Sequence, residues 1–297
     1  IYLSITNYGK LGSESRELYD PWTQEPAPSC EFPGFSNLEY LFQGCVWIGA
    51  VEERPDEPGV LDTLVSIGDD GWTPNINELN PSPPPAGEIL MLSTRGPNAP
   101  PYADSVGTLS RDVMDREFHA TSEQDFICVF ADTTIIGVSP DSHDSRDHRP
   151  LGLKLIQKSY SWSYEYAEDF ILLDFEIENI GNKQLEQMWI GLYIDADVLH
   201  VSENASQGAQ NDICGFVADY TDPLTQRTSN IYTAWIADCS GMPYDGSFDY
   251  RSPRGLSGVR VVNWPGRSVN ICDPGYDETS LQYGFNWWIS NVDPQYD

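Results

Sequence analysis

The sequence predicts an all-β fold: a large antiparallel β-sandwich, jelly-roll or immunoglobulin-like, with long Pro- and Asp-rich loops. Three observations carry this. Apolar residues recur with period two in short runs, the signature of strands that bury one face. Gly, Asn, Asp and Pro punctuate those runs at turn positions. No heptad and no long amphipathic helical pattern occurs anywhere in the 297 residues.

The elements follow in order. Ile1-Tyr2-Leu3-Ser4-Ile5-Thr6 alternates and breaks at Asn7-Tyr8-Gly9. Tyr40 to Val51 is an apolar run interrupted by Gly44 and Gly49, either two buried strands or one strand with a bulge. Leu61 to Ile67 is a further strand, and Asp125–Ala131 and Thr133–Val138 are two more. Pro74 to Pro101 holds eight prolines and reads as a surface loop. Arg111 to His119 has room for one or two helical turns, and Ser139 to Pro150 is a charged loop. Leu153 to Trp162 reads as one long strand. Phe170 to Ile180 then alternates strictly, with Ile171, Leu173, Phe175 and Ile177 on one face and Asp174, Glu176 and Glu178 on the other. After the turn Asn179–Asn182, Leu185 to Ile194 returns as the next strand of a hairpin or meander. Ile231–Ile236, Gly258–Val262 and Tyr283–Ser290 complete the set. A single sandwich domain spanning 1–297 is expected, with 139–150 as the place where a second subdomain would begin.

Composition narrows the function. With 46 acidic against 16 basic residues, the formal charge is −30. A basic face cannot easily form from 16 scattered basic residues, so nucleic acid is not expected as a partner. No apolar run approaches the roughly 20 residues of a membrane-spanning helix, so membrane insertion is not expected. Yet 40% of residues are hydrophobic and 12% aromatic, too many for a disordered chain. Dense carboxylates favour hard cations, Ca²⁺ above all. Six cysteines (Cys30, Cys45, Cys128, Cys214, Cys239 and Cys272) show no zinc-site spacing and read as up to three disulfides of an oxidising, extracellular compartment. The start at Ile1 suggests a removed leader or a piece of a longer chain. Asn204-Ala205-Ser206 is an N-glycosylation sequon.

Several motifs together carry a resemblance. These are Asn7-Tyr8-Gly9-Lys10-Leu11-Gly12, Phe32-Pro33-Gly34, Tyr40-Leu41-Phe42-Gln43-Gly44 and Trp47-Ile48-Gly49-Ala50. Further along come Ser122-Glu123-Gln124-Asp125, Ala131-Asp132-Thr133, Pro150-Leu151-Gly152-Leu153, the Gly191–Val198 segment and Asn286-Trp287-Trp288-Ile289-Ser290-Asn291. Over most of its length the chain resembles large secreted, β-rich surface proteins of environmental bacteria, many of which carry a C-terminal secretion-sorting domain. The resemblance implies export to the surface and a structural or adhesive role. It supplies no catalytic residues.

Four groups of residues are candidates for chemistry. Asp195 and Asp197, two apart where a strand ends, can converge on one Ca²⁺, with Glu203 and Asp212 closing the shell. Asp69-Asp70, Asp245 with Asp249, and Asp273 with Asp277 and Glu278 are lesser versions of the same pattern. His143-Asp144 and Asp147-His148 could together hold a transition metal. Asp174, Glu176 and Glu178 alternate on a strand as the carboxylates of some retaining glycosidases do, and residues two apart approach the spacing such a pair needs. No nucleophile elbow, phosphate loop or H-E-x-x-H is present. Trp47, Trp162, Trp189 and Trp235 sit in apolar contexts and are expected in the core. Trp287-Trp288 point to opposite faces, so one is available to a partner.

The reading that fits best is a non-enzymatic extracellular structural protein. It would be a filament or surface-assembly subunit binding copies of itself by strand addition through Ile1, Leu3 and Ile5, with Trp287 and Trp288 as further contacts and Ca²⁺ as stabiliser. A carbohydrate-binding adhesin and a secreted glycosidase are the alternatives.

Overall fold

A computed structural model of the chain describes residues 1–13, 16–20, 23–54, 56–68, 78–82, 87–95, 106–108, 117–140, 145–204, 208–263 and 283–288. Its strands are β1 (Tyr2–Leu3), β2 (Lys10–Leu11), β3 (Cys30–Glu31), β4 (Leu38–Glu39), β5 (Gln43–Glu53), β6 (Leu61–Ile67), β7 (Asn80–Pro81), β8 (Leu90–Leu92) and β9 (Val106–Thr108). They continue with β10 (Glu117–His119), β11 (Gln124–Asp132), β12 (Leu153–Ser161), β13 (Leu172–Asn179), β14 (Glu186–Asp195), β15 (Leu199–His200), β16 (Asp212–Thr221), β17 (Thr228–Asp238) and β18 (Ser257–Arg260). The fold is all-β with antiparallel sheets, as expected. The chain divides into two compact units, Ile1–Phe35 with Phe42–Asp195, and Ser36–Leu41 with Ala196–Asp297. The division therefore falls at Asp195/Ala196 and not near 139–150. Asp132, His148 and Arg149 tie the end of that charged loop into the first unit, as shown below.

The first unit is the predicted sandwich. One sheet runs β14-β5-β2, with β6 also on β5; the other runs β13-β12-β11, with β7 and β8 on the far side of β11. Their facing sides supply the core. Val46, Ile48 and Ala50 come from β5, Cys128 and Phe130 from β11, and Leu153 and Leu155 from β12, all fully buried at alternate positions. Phe175 and Ile177 of β13 pack against this core, while Asp174, Glu176 and Glu178 alternate with them. A second cluster, Leu92, Ile127, Val129 and Ile156, fills the opposite face of β11 and β12. Burial on both faces explains why Asp125 to Ala131 reads as a continuous apolar run. In so tightly packed a core even one methylene matters. Ile48→Val is expected to lower unfolding stability by about 0.5–1.5 kcal/mol, read as a lower urea midpoint with unchanged slope.

Several expectations are corrected by tertiary context. Of Tyr40–Val51, the part from Gln43 onward belongs to one strand, β5, while Tyr40, Leu41 and Phe42 lie outside it. At Gly44 a Cβ would lie 2.9 Å from Ile194 Cδ1 and 3.1 Å from the Tyr193 carbonyl oxygen, so these neighbours would have to give way. The Pro-rich stretch is not all loop: β7 and β8 border β11, and Leu79 and Leu92 are fully buried. Pro81 fits because an edge position needs no N–H. Thr133–Val138 is a turn, with Ile135 and Ile136 exposed and no face to bury. Glu117–His119 is strand rather than helix, and residues 283–288 are not strand. The N-terminal segment is not a free strand. β1 pairs β3 through Tyr2↔Glu31 and Leu3↔Cys30, the Ser4 amide donates to Ser29 O at 3.1 Å, and Ile5 bridges Leu11.

In the second unit β16, β17 and β18 form an antiparallel sheet, and β4 pairs β15. Tyr40 connects these parts. Its hydroxyl accepts the Gly255 N–H at 3.1 Å, and its carbonyl accepts the Ser257 Oγ–H at 2.6 Å. β16 went unrecognised in the sequence because Gly215, Ala218 and Asp219 interrupt its apolar pattern.

Candidate functional site

The structure disperses most of the predicted sites. Asp174 and Glu178 lie opposite lysines of β12 and Glu176 opposite Ile156: Lys158 pairs with Glu176 and, at 3.7 Å, with Asp174, while Lys154 pairs with Glu178. The register Lys158↔Asp174 and Lys154↔Glu178 makes this a cross-strand charge ladder on the outer face of an edge strand.

The proposed calcium ligands are separately engaged. Asp195 ends the first unit, and burial, only partly offset by the Tyr193 hydroxyl at 3.4 Å, raises its pKa. Asp197, Glu203 and Asp212 belong to the second unit. Asp212 Oδ2 accepts the Val198 N–H at 2.9 Å. Glu203 accepts from Arg251 at 3.2 Å and from the Tyr244 N–H at 3.1 Å. Asp245 and Asp249 are bound by the same Arg251 at 2.6 Å each, and its hydrogen bonds lower both pKa values. A guanidinium thus occupies the place given to a cation. Among the described residues no three His, Cys, Asp or Glu are grouped to hold a metal ion. Asp69, Asp70, Asp273, Asp277 and Glu278 lie outside the described residues.

No disulfide joins any two of the described cysteines, Cys30, Cys45, Cys128, Cys214 and Cys239; Cys272 lies outside them. Burial pushes the Cys128 thiol up to about 12, so it is an inert core residue. The extracellular reading therefore rests on composition and resemblance rather than on disulfides. Asn204 is exposed, as a glycosylation acceptor must be. Trp287 is exposed and Trp288 half-buried. Ile1, Leu3 and Ile5 are half-buried in the first unit.

Of the His143–His148 group, His143 and Asp144 lie outside the described residues and Asp147 is exposed. His148 is buried between two acids, with Nε2 2.8 Å from Asp132 Oδ1 and Nδ1 3.1 Å from Glu78 Oε1. Asp132, fully buried, also accepts from Ser66 Oγ and from the Leu151 N–H at 2.7 Å. Burial opposes the imidazolium charge. The hydrogen bonds to Asp132 and Glu78, aided by their charges, outweigh it and raise the His148 pKa to about 9. The next residue, Arg149, reaches Glu52 and Asp62; Lys183 also reaches Glu52, at 2.9 Å. Hydrogen bonds from Arg54, then Arg149, hold Asp62 down at about 2. These ion pairs fasten the loop to the sandwich.

The feature that stands out is β14. Its only partner among the described strands is β5. Period two would place Leu185 and Leu192, seven apart, on opposite faces, yet both pack against the core. A bulge between Glu186 and Trp189 absorbs the extra residue. Trp189, expected in the core, is thereby turned to the outer face beside Gly49. On the same face Trp47 stacks on Tyr193, ring centroids 5.2 Å apart and planes within 8°. Met188, Trp189 and Ile190 are 44%, 51% and 56% exposed. No charged residue occurs from Gln187 to Ile194. The β13 edge of the other sheet, by contrast, carries three carboxylates.

No protein-family model matches the chain, and neither a curated protein nor a solved structure matches it.

Proposed function

We propose that the protein is a non-enzymatic, extracellular structural subunit that joins copies of itself by strand addition along β14. The observation that supports this most is the stretch Gln187 to Ile194 of β14, uncharged and paired on one side only among the described strands, with Met188, Trp189 and Ile190 exposed. Proteins usually guard such edges with charge, Pro or a cover. Here β13 carries three carboxylates along its edge, whereas β14 carries no charge from Gln187 to Ile194. The internally paired β1 is a poorer donor, so the contact moves from Ile1, Leu3 and Ile5 to β14. Antiparallel pairing of β14 with the β14 of a second copy is self-complementary and closes as a two-fold dimer. A filament needs a second contact in addition.

The charge of −30 opposes this association at long range. The Debye length shortens from about 30 Å at 0.01 M salt to about 8 Å at 0.15 M, and Ca²⁺ screens acidic surfaces further. Sedimentation of the whole chain is expected to show association that strengthens with salt and calcium and weakens when a chelator is added at low salt. Monomers under all these conditions would overturn the reading.

A further inference from the structure

A separate feature of the second unit points to a ligand rather than a copy of the chain. The segment from Met242 to Pro253 borders a cleft of about 330 Å³, whose walls include Leu199, His200, Glu203, Asn211, Asp238 and Tyr244. That volume lies at the lower end of small-molecule sites. The segment is held by a single cation: the Arg251 guanidinium contacts Glu203 at 3.2 Å and Asp245 and Asp249 at 2.6 Å. The Tyr244 N–H bonds to Glu203, and the Tyr250 ring packs edge-on against His200, centroids 5.5 Å apart at 87°. Phe248 is in turn covered by Arg254, whose guanidinium carbon lies 5.0 Å from the ring centre.

Tyr244 and Tyr250 remain 68% and 77% exposed. Exposed rings on a rigidly tied segment lose little freedom on binding and offer apolar faces beside polar groups. The neighbouring groups are mostly acceptors: the carboxylates of Glu203 and Asp238, the latter already taking the Asn211 Nδ2–H at 3.0 Å, with Ser240 beside them. A ligand with many hydroxyl donors and flat C–H faces fits this combination. Four carboxylates (Glu203, Asp238, Asp245 and Asp249) against one Arg251 disfavour an anion. We infer that this cleft binds a short stretch or chain end of a neutral saccharide, with Tyr244 of its wall as one stacking ring and Tyr250, outside the wall but packed on the wall residue His200, as the other.

The test is titration of the whole chain with neutral oligosaccharides (β-glucan, cello-, chito-, manno- and galacto-series) and with oligogalacturonate as the anionic comparison. At least one neutral series is expected to bind, and oligogalacturonate is expected not to. Tyr244→Ala and Tyr250→Ala should each weaken binding about 3- to 10-fold, the range of aromatic contacts, while thermal unfolding stays near that of the parent. Silence across the neutral panel, preference for the anion, or full affinity in both alanine variants would overturn the inference. Variants at Met188 and Ile190 should bind sugar normally, so this result and the strand-addition reading can fail independently.

Discussion

His148→Ala is expected to lose about 3–5 kcal/mol of unfolding stability, the usual cost of removing one partner from a buried ion pair. Asp132 is fully buried and would keep only its bonds from Ser66 and the Leu151 amide; Glu78 would keep the Ile67 N–H at 2.7 Å. The pH dependence identifies the cause. His148 has a raised pKa in the folded protein, about 9 against an ordinary value of 6.5. Its contribution is therefore complete below pH 6.5 and fades as pH rises through about 9. By linkage the loss is on the order of 3 kcal/mol. Urea midpoints measured from pH 6 to 9.5 should fall for the parent and change much less for His148→Gln. Parallel curves for the two proteins would show that the imidazolium does not hold the loop.

Lysines at Met188 and Ile190 are expected to abolish self-association. In a two-fold pairing of β14 with its copy, each lysine is presented to the seam twice, so four like charges meet in a strip that carries none in the parent. Like charges opposed across strands destabilise pairing, and lysine is a common natural guard of sheet edges. At 44% and 56% exposure both side chains can reach water from the folded monomer, so its stability should stay within about 1 kcal/mol. Sedimentation equilibrium at moderate salt should show at least a 100-fold weaker dimer. An unchanged dimer in the double variant would move the contact elsewhere, and Trp287 would be the next position to alter.

The strands that sequence could read were those whose apolar pattern is local, even where the partner is distant, as β14 is from β5. Leu173, Phe175 and Ile177 against Asp174, Glu176 and Glu178 set the face of β13, but the hairpin or meander expected across Asn179–Asn182 does not form: β13 pairs β12 in one sheet and β14 pairs β5 in the other, because Leu185 and Leu192 pack into the core from the opposite sheet. Local pattern could not show that β11 and β12 bury both faces, nor that Leu90–Leu92 leaves a Pro-rich stretch to border them. Nor could it foresee the β14 bulge, since an extra residue inverts every later side chain without changing which amino acids alternate. That inversion is why Trp189 is an outer-face residue and not a core one.

The candidate sites divide in the same way. Sequence supplied the inventory: an acidic chain with carboxylates two apart, histidines beside aspartates, and an aromatic content high enough to fill a core. What each charge does depended on partners far along the chain. Ser66 and Asp132 are 66 residues apart, Arg149 and Glu52 are 97, and Arg251 and Glu203 are 48. A carboxylate in an acidic sequence looks like a cation ligand until the fold brings a guanidinium or an imidazolium to it. Periodicity, a property of consecutive residues, determined the β class and most strand positions. Charge pairing and exposure, properties of residues brought together only by folding, decided that His148 fastens a loop, that Arg251 occupies the acidic cluster, and that β14 pairs on one side only among the described strands.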